Sequence, residues 1–175
     1  MKKILGLGLK LMLFCVISAA LLSGVYLLTK PKIEFYARQT LENSLREVLP
    51  NAGTFKEVKK DGQIIYQGLS DGTVAGTAFF LAPQGYGGKI EMLVGIDLKG
   101  KISGIKIINQ HETPGLGVNI LKKEFLEQFL GKTIKDPLEP KKDIDAITGA
   151  TISTRAVCHG AKNALEINQT VHNIQ

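Results

Sequence analysis

The chain has 175 residues, a formal net charge of +6 and a 22% share of charged side chains, which bounds it to a short segment plus one folded core. The charge excess is local, because Lys2, Lys3, Lys10, Lys30 and Lys32 supply five of the cations, and from Ile33 onward seventeen basic side chains meet sixteen acidic ones. A nearly neutral domain argues against nucleic-acid binding and places the surplus charge at lipid headgroups.

Taken from the N-terminus, the uncharged stretch Leu11 to Thr29 is nineteen residues long, which at about 1.5 Å per residue just crosses a bilayer core. Residues 1–32 are therefore expected to form an N-terminal transmembrane anchor. A cleaved signal peptide competes, since Ser18-Ala-Ala20 supplies small residues. Apolar sequence continues through Leu28, however, and cleavage would leave a greasy new terminus. Phe14 occupies the position before Cys15 where a lipoprotein signal has a small residue, so Cys15 reads as an apolar residue of the span. Lysines at both ends leave the orientation open.

Residues 33–53 read as a juxtamembrane amphipathic helix. Leu41, Leu45, Val48 and Leu49 recur at helical intervals, and Pro50-Asn-Ala-Gly53 stops the pattern. The helix either continues from the membrane segment or lies on the domain. Residues 54–175 form the remaining domain, with short β-like runs at Phe55–Val58, Gln63–Tyr66 and Thr77–Leu81, separated by turn signals at Asp61-Gly62 and Asp71-Gly72. Lys89–Asp97 and Ile102–Ile108 are the strongest strand pair, joined at Lys99-Gly-Lys101, with a bulge expected near Gly104.

A helix from about Asn119 to Leu130 is expected from the stripe Ile120, Leu121, Phe125, Phe129 and Leu130, stopped by Gly131. A second begins after Thr151, with Val157, Ala161, Ala164 and Leu165 toward the core. The fold class is α+β: a transmembrane helix, then one domain with a bent antiparallel sheet packed by helices. The chain end near Gln175 is expected to be mobile.

Two cysteines, Cys15 and Cys158, supply neither a disulfide framework, nor a covalent haem site, nor the four thiolates of an iron–sulfur cluster. His111, His159 and His172 lack metal-ligand spacing, so no protein-bound metal is expected and an electron carrier here must be organic.

The most informative stretch is Asp145-Ala-Ile-Thr-Gly-Ala-Thr151, with Ile-Ser-Thr-Arg155 after it. Gly149 and Ala150 let backbone approach an anion closely, and the following helix offers unpaired N–H groups with a partial positive charge. Thr151 would supply an ester oxygen; the same residues also make an ordinary capped helix start. Thr148, Gly149 and Ala150 would frame a phosphate, and Ser153 and Thr154 are placed to donate further hydrogen bonds. Arg155, one turn on, either pairs with the phosphate or is a solvated surface charge. In the upstream segment His111-Glu-Thr-Pro-Gly-Leu-Gly117, Pro114 and Gly115 predict a rigid turn holding Leu116 outward. Tyr86, in Gly-Tyr-Gly-Gly88, offers an aromatic face or a hydroxyl, with packing as the competing role.

Those two segments, in that order and spacing, resemble the FMN-binding domain shared by the RnfG and NqrC subunits of membrane redox complexes. Similarity runs on through Gly85–Asp97 and the stretch from Gly100, and the chain's length is nearer that of RnfG. The resemblance implies FMN held by a phosphoester to Thr151, with Glu112, Thr113 and Leu116 along the isoalloxazine side. Thr151 is then an attachment point and not a catalytic residue, since an alcohol without an adjacent base is a poor nucleophile. A separate flavin transferase, using a divalent metal and a dinucleotide flavin, would make the ester. The family also implies a cytoplasmic N-terminus, an outward-facing domain on the bacterial inner membrane, and electron relay to other subunits of an Rnf-type complex coupling ferredoxin and NAD to ion movement. A tethered flavoprotein of another respiratory or sensory assembly and a non-redox anion-binding module are the alternatives.

Overall fold

A computed structural model describes residues 2–60 and 63–172; the Asp61-Gly62 turn and the end near Gln175 lie outside the described residues. The chain divides into two units, Met1–Leu41 and Glu42–Gln175.

Helix α1 runs Lys2–Val48 without interruption and carries Pro31 inside it. The apolar stretch and the expected amphipathic helix are thus one element. In the first unit its most apolar window has a mean hydropathy of 2.4, and none of that window is buried. Length and composition suffice to cross a membrane. Leu11, Phe14, Leu21, Leu22 and Leu28 are all exposed, a surface that a water-soluble helix would have to cover.

The second unit is built on a five-stranded meander, β1 (Thr54–Lys60), β2 (Gln63–Ser70), β3 (Thr73–Leu81), β4 (Glu91–Asp97) and β5 (Ile102–Asn109), in spatial order β1-β2-β3-β4-β5. Every neighbouring pair is antiparallel. The expected bulge is present: Gly95 pairs with Gly104 and Ile96 with Ile102, leaving Ser103 as the extra residue. Alternation along β4 sends Met92, Val94 and Ile96 into the main core. Helix α3 (Thr151–His172) covers that face with Val157, Ala161, Ala164 and Leu165, all buried. It lies close, since a Cβ on Gly160 would meet Met92 Sδ at 2.6 Å.

The opposite face receives the end of α1. Gly68 pairs with Gly76 and Gly95 with Gly104, and these two cross-strand glycine pairs hollow the sheet. Added Cβ atoms would meet the Leu49 side chain at 3.0 and 2.8 Å from Gly68 and Gly76, and the Val48 backbone from Gly95 and Gly104. Leu45, Val48 and Leu49 are buried there. Ser103 Oγ donates to the Val48 carbonyl at 2.6 Å, and Lys106 pairs with Glu47 at 2.7 Å.

The expected continuous helix at residues 119–130 does not form. A 3₁₀ turn at Gly117–Leu121 gives way to a short helix α2 (Lys123–Leu126) and a further 3₁₀ turn at Glu127–Phe129. Lys122 between them is extended, at φ −65° and ψ 135°. On one helix Ile120 and Phe125 would face about 140° apart at 100° per residue. The extended residue rephases the chain so that Ile120, Phe125 and Phe129 all enter the core, while Leu121 and Leu130 stay exposed.

Candidate functional site

Two turns of the same design meet at the start of α3. Leu116 N–H donates to the Thr113 carbonyl at 3.2 Å, and Gly115 between them has φ +76°. Ala150 N–H donates to the Ile147 carbonyl at 3.0 Å, and Gly149 has φ +76°. A bond from residue i+3 to residue i with positive φ at i+2 defines a type II turn, which favours glycine there and welcomes Pro114 at i+1. The turns pack on one another: a Cβ on Gly149 would meet Leu116 Cδ2 at 3.0 Å.

The first intrahelical bond of α3 runs from Thr154 N–H to the Ala150 carbonyl at 2.9 Å. Ala150 is therefore the N-cap, and it has no side-chain acceptor to offer the amides of Thr151, Ile152 and Ser153. Thr151 is the first helical residue and its side chain is exposed. The ordinary capped start would place a Thr hydroxyl at the cap itself; here that position is alanine. A helix entrance left open in this way attracts an anion.

Beside Thr151 lies a cleft of about 530 Å³ lined by Tyr86, Glu112, Thr113, Leu116, Gly117, Gly149, Ala150, Thr151, Ile152 and Ser153. Eight of the ten residues singled out from the sequence thus come together. Tyr86, Leu116 and Ile152 expose 70%, 46% and 50% of their surface, so apolar side chains stand at the opening instead of in the core. Glu112 supplies the single charge in the lining. It is 5% exposed and joins three segments: Ser153 Oγ donates to Oε2 at 2.5 Å, and the Gly87 amide donates to Oε1 at 3.2 Å. Gly85 and Gly117 give it room, since a Cβ at either would strike the carboxylate.

Two expected residues are placed elsewhere. Thr154 is fully buried, its hydroxyl donating to the Ala150 carbonyl at 2.9 Å and accepting from the Ile147 amide at 3.2 Å. It locks the turn and has no hydrogen left for a ligand. Thr148 lies on a separate groove with Asp145, Gln128 and Asn119, where the Asp145 amide donates to Gln128 Oε1 at 2.6 Å. Ser153 does line the cleft, but its hydroxyl is committed to Glu112. Arg155 is exposed and lines a neighbouring cleft that shares Thr151. Gly117 and Ile152 join the lining without being expected there from the sequence. The closing glycine of the upstream motif and an apolar residue in the first turn of a helix were the available signals.

Cys158, 2% exposed, is no candidate nucleophile: burial, helped by Asp143, pushes its thiol up to about 12. The loop ahead of the turn is held by Asp143. Burial acts to raise its carboxyl, but the Glu139 and Leu138 amides and Lys132, at 3.0 Å, outweigh this and hold it below the usual carboxylate range.

An open helix entrance next to a largely apolar cleft, on an antiparallel sheet with α3 behind it, suits a ligand with an anionic end and an apolar body. Residues 85–166 match the FMN-binding domain, and residues 1–48 match the RnfG N-terminal region. The chain is 35% identical to the G subunit of the proton-translocating ferredoxin:NAD(+) oxidoreductase complex of Clostridium ljungdahlii over 162 residues, 87% of this chain and 84% of that protein. It is 32% identical to the G subunit of the ion-translocating oxidoreductase complex of Aliivibrio fischeri, in an alignment that covers 93% of this chain and 89% of that one. Its fold is similar to that of Shewanella oneidensis NqrC, with a TM-score of 0.50 and 20% identity, covering 70% of this chain and 67% of the other. The chain belongs to the G-subunit family of ion-translocating oxidoreductase complexes and carries the FMN-binding domain of that family.

Proposed function

We propose that the chain is a membrane-anchored flavoprotein subunit. It holds FMN by a phosphoester to the Thr151 hydroxyl and relays electrons within an Rnf-type ion-translocating ferredoxin:NAD oxidoreductase complex. The observation that carries this is the exposed Thr151 hydroxyl at an open helix entrance, on the rim of a cleft built by both sequence motifs.

The residues fit the group. Amides of Thr151, Ile152 and Ser153 precede the first intrahelical bond and suit a phosphate, and Gly149 and Ala150 leave its approach unobstructed. Tyr86, Thr113, Leu116 and Ile152 offer a surface for the ring, and Glu112 holds that surface together through Ser153 and Gly87. Bound FMN supplies one- and two-electron chemistry that no side chain here can provide. An ester makes occupancy independent of free flavin, which matters where a dissociated nucleotide would be lost.

Residues 1–32 form the anchor, 33–53 the juxtamembrane segment, helical as far as Val48, and 54–175 the flavin domain, which faces the periplasmic or outer side. The exposed apolar surface of α1 supports lipid contact. A flavin transferase makes the ester, since among the described residues no side-chain base is hydrogen-bonded to the Thr151 hydroxyl to activate it. The G-subunit relatives are the support for partner subunits and for ferredoxin:NAD chemistry.

The test is in-gel flavin fluorescence of denatured full-length chain, co-produced with a flavin transferase. Unaltered protein is expected to fluoresce and Thr151→Ala to be dark with an unchanged circular dichroism spectrum. Equal fluorescence from both would sink the attachment site.

A further inference from the structure

Among the described residues of the second unit, seven large apolar side chains are exposed, and three of them, Tyr86, Leu116 and Ile152, stand at the one cleft beside Thr151. A second cleft, of about 440 Å³, adjoins it at Thr151, and Lys141, Arg155, His159 and Lys162 stand along it. Arg155, His159 and Lys162 are spaced four and three residues apart, which puts them along one side of α3. Lys141 comes from the loop before the turn and is held there. Its amide donates to the Ile144 carbonyl at 2.9 Å, and the Asp143 carboxylate accepts from the Leu138 and Glu139 amides at 3.2 and 2.9 Å.

Among the described residues none of Lys141, Arg155 and Lys162 has an ion-pair partner. The acids nearby are engaged, Glu139 by Lys142 at 2.6 Å and Asp143 by Lys132 at 3.0 Å. Glu166, four residues after Lys162, makes no bridge to it. Unpaired cations beside an exposed apolar patch have the make-up of a protein interface, with an apolar centre and a polar border. The cations are also spread too widely for one small anion. Arg155 to Lys162 spans about 10 Å of helix at 1.5 Å per residue, and Lys141 adds a third point off the helix. A row of carboxylates on a protein surface matches that spread.

We propose that this face is the docking surface for another subunit of the complex, one that presents an apolar patch bordered by aspartate and glutamate side chains. The proposal rests on reading the first cleft as the flavin site. A carrier held there exchanges electrons with a partner that reaches the mouth of the cleft, and Tyr86, Leu116 and Ile152 form that mouth. The two clefts meet at Thr151, so a subunit seated on the apolar rim brings its border against Lys141, Arg155 and Lys162. Those cations steer the approach and fix the orientation, while the rim supplies the apolar contact.

The experiment isolates from membranes the complex that contains this chain and treats it with a water-soluble carbodiimide, which condenses a lysine amine with a carboxylate in contact with it. Linked peptides are mapped by tandem mass spectrometry. Lys141 or Lys162 is expected to be joined to an Asp or Glu of another subunit, with a yield that falls as salt is raised before the reagent is added. Arg155→Glu combined with Lys162→Glu should cut the yield at Lys141 about tenfold, with the covalent flavin content and the thermal midpoint of the chain unchanged. Three results overturn the proposal: no such link in a complex whose other lysines do link, links made only to a second copy of this chain or only to added flavin transferase, or a yield indifferent to the charge reversal. Thr151→Ala should keep the links. If Thr151 is never esterified yet Lys141 and Lys162 still link, the attachment reading fails and this one stands; esterified Thr151 without links gives the reverse.

Discussion

The Glu112–Ser153 contact is the point at which the cleft is most exposed to a single substitution. Ser153→Ala deletes the hydroxyl that donates to Glu112 Oε2 at 2.5 Å and leaves a buried carboxylate with the Gly87 amide at 3.2 Å as its other partner. A hydrogen bond to a charged group contributes about 1.5–3 kcal/mol net. Because Ser153 and Glu112 are 1% and 5% exposed, water cannot readily replace it, and a loss of about 2–3 kcal/mol is expected. In a Glu112→Gln background the bond is neutral, and the same serine change should cost about 1 kcal/mol. The difference, about 1–2 kcal/mol, is the coupling that a double-mutant cycle reads. Urea unfolding of full-length chain in micelles, followed by the near-ultraviolet dichroism of buried Tyr66, measures it. At a typical slope of 1–3 kcal/mol per molar urea, Ser153→Ala alone should lower the midpoint by about 0.7–3 M. A coupling below about 0.5 kcal/mol would refute the claim that this carboxylate ties the upstream motif to α3.

Three further outcomes follow from particular residues. Gly149→Ala places a side chain at φ +76° and within 3.0 Å of Leu116 Cδ2; it should cost about 1–2 kcal/mol by the same unfolding assay and lower the flavin fluorescence retained after denaturation. Gly95→Ala should destabilise more than Gly53→Ala, because its Cβ strikes the Val48 carbonyl whereas a Cβ on Gly53 would meet the Leu69 carbonyl at an ordinary 3.8 Å; equal midpoints would contradict the seating of α1's end in the sheet. Asp143 has a folded pKa held below its unfolded value, about 3.9, so its contribution is fully present above that value and is lost as pH falls through the folded pKa. Thermal midpoints should therefore drop on the acid side below about pH 4, and Asp143→Asn should lower the neutral-pH midpoint while shrinking that acid-side drop.

Features set by short-range pattern were legible in the sequence. Alternation in Ile102, Ile105 and Ile107 marked β5 and its bulge, small residues at Ala161 and Ala164 marked the buried side of α3, and Pro114-Gly115 marked the turn that presents Leu116. What stayed hidden depends on contacts distant in sequence. Gly68, Gly76, Gly95 and Gly104 become two cross-strand pairs only once the register is fixed, and only then does a seat for Val48 and Leu49 exist. The stripe from Ile120 to Leu130 satisfied a helical period, but core positions for Ile120 and Phe125 together required the break at Lys122. Thr154 and Ser153 looked like phosphate donors because spacing cannot reveal that Ala150, Ile147 and Glu112 already hold their hydroxyls.

The state of one oxygen atom decides the functional reading. Full-length chain isolated from membranes that contain a flavin transferase, digested and mapped by tandem mass spectrometry, should yield the peptide spanning Thr151 with one added FMN, the fragment series assigning the mass to that residue and to neither Thr148 nor Thr154. The unmodified peptide as the sole species from such membranes, or the flavin mapped to another side chain, would contradict it.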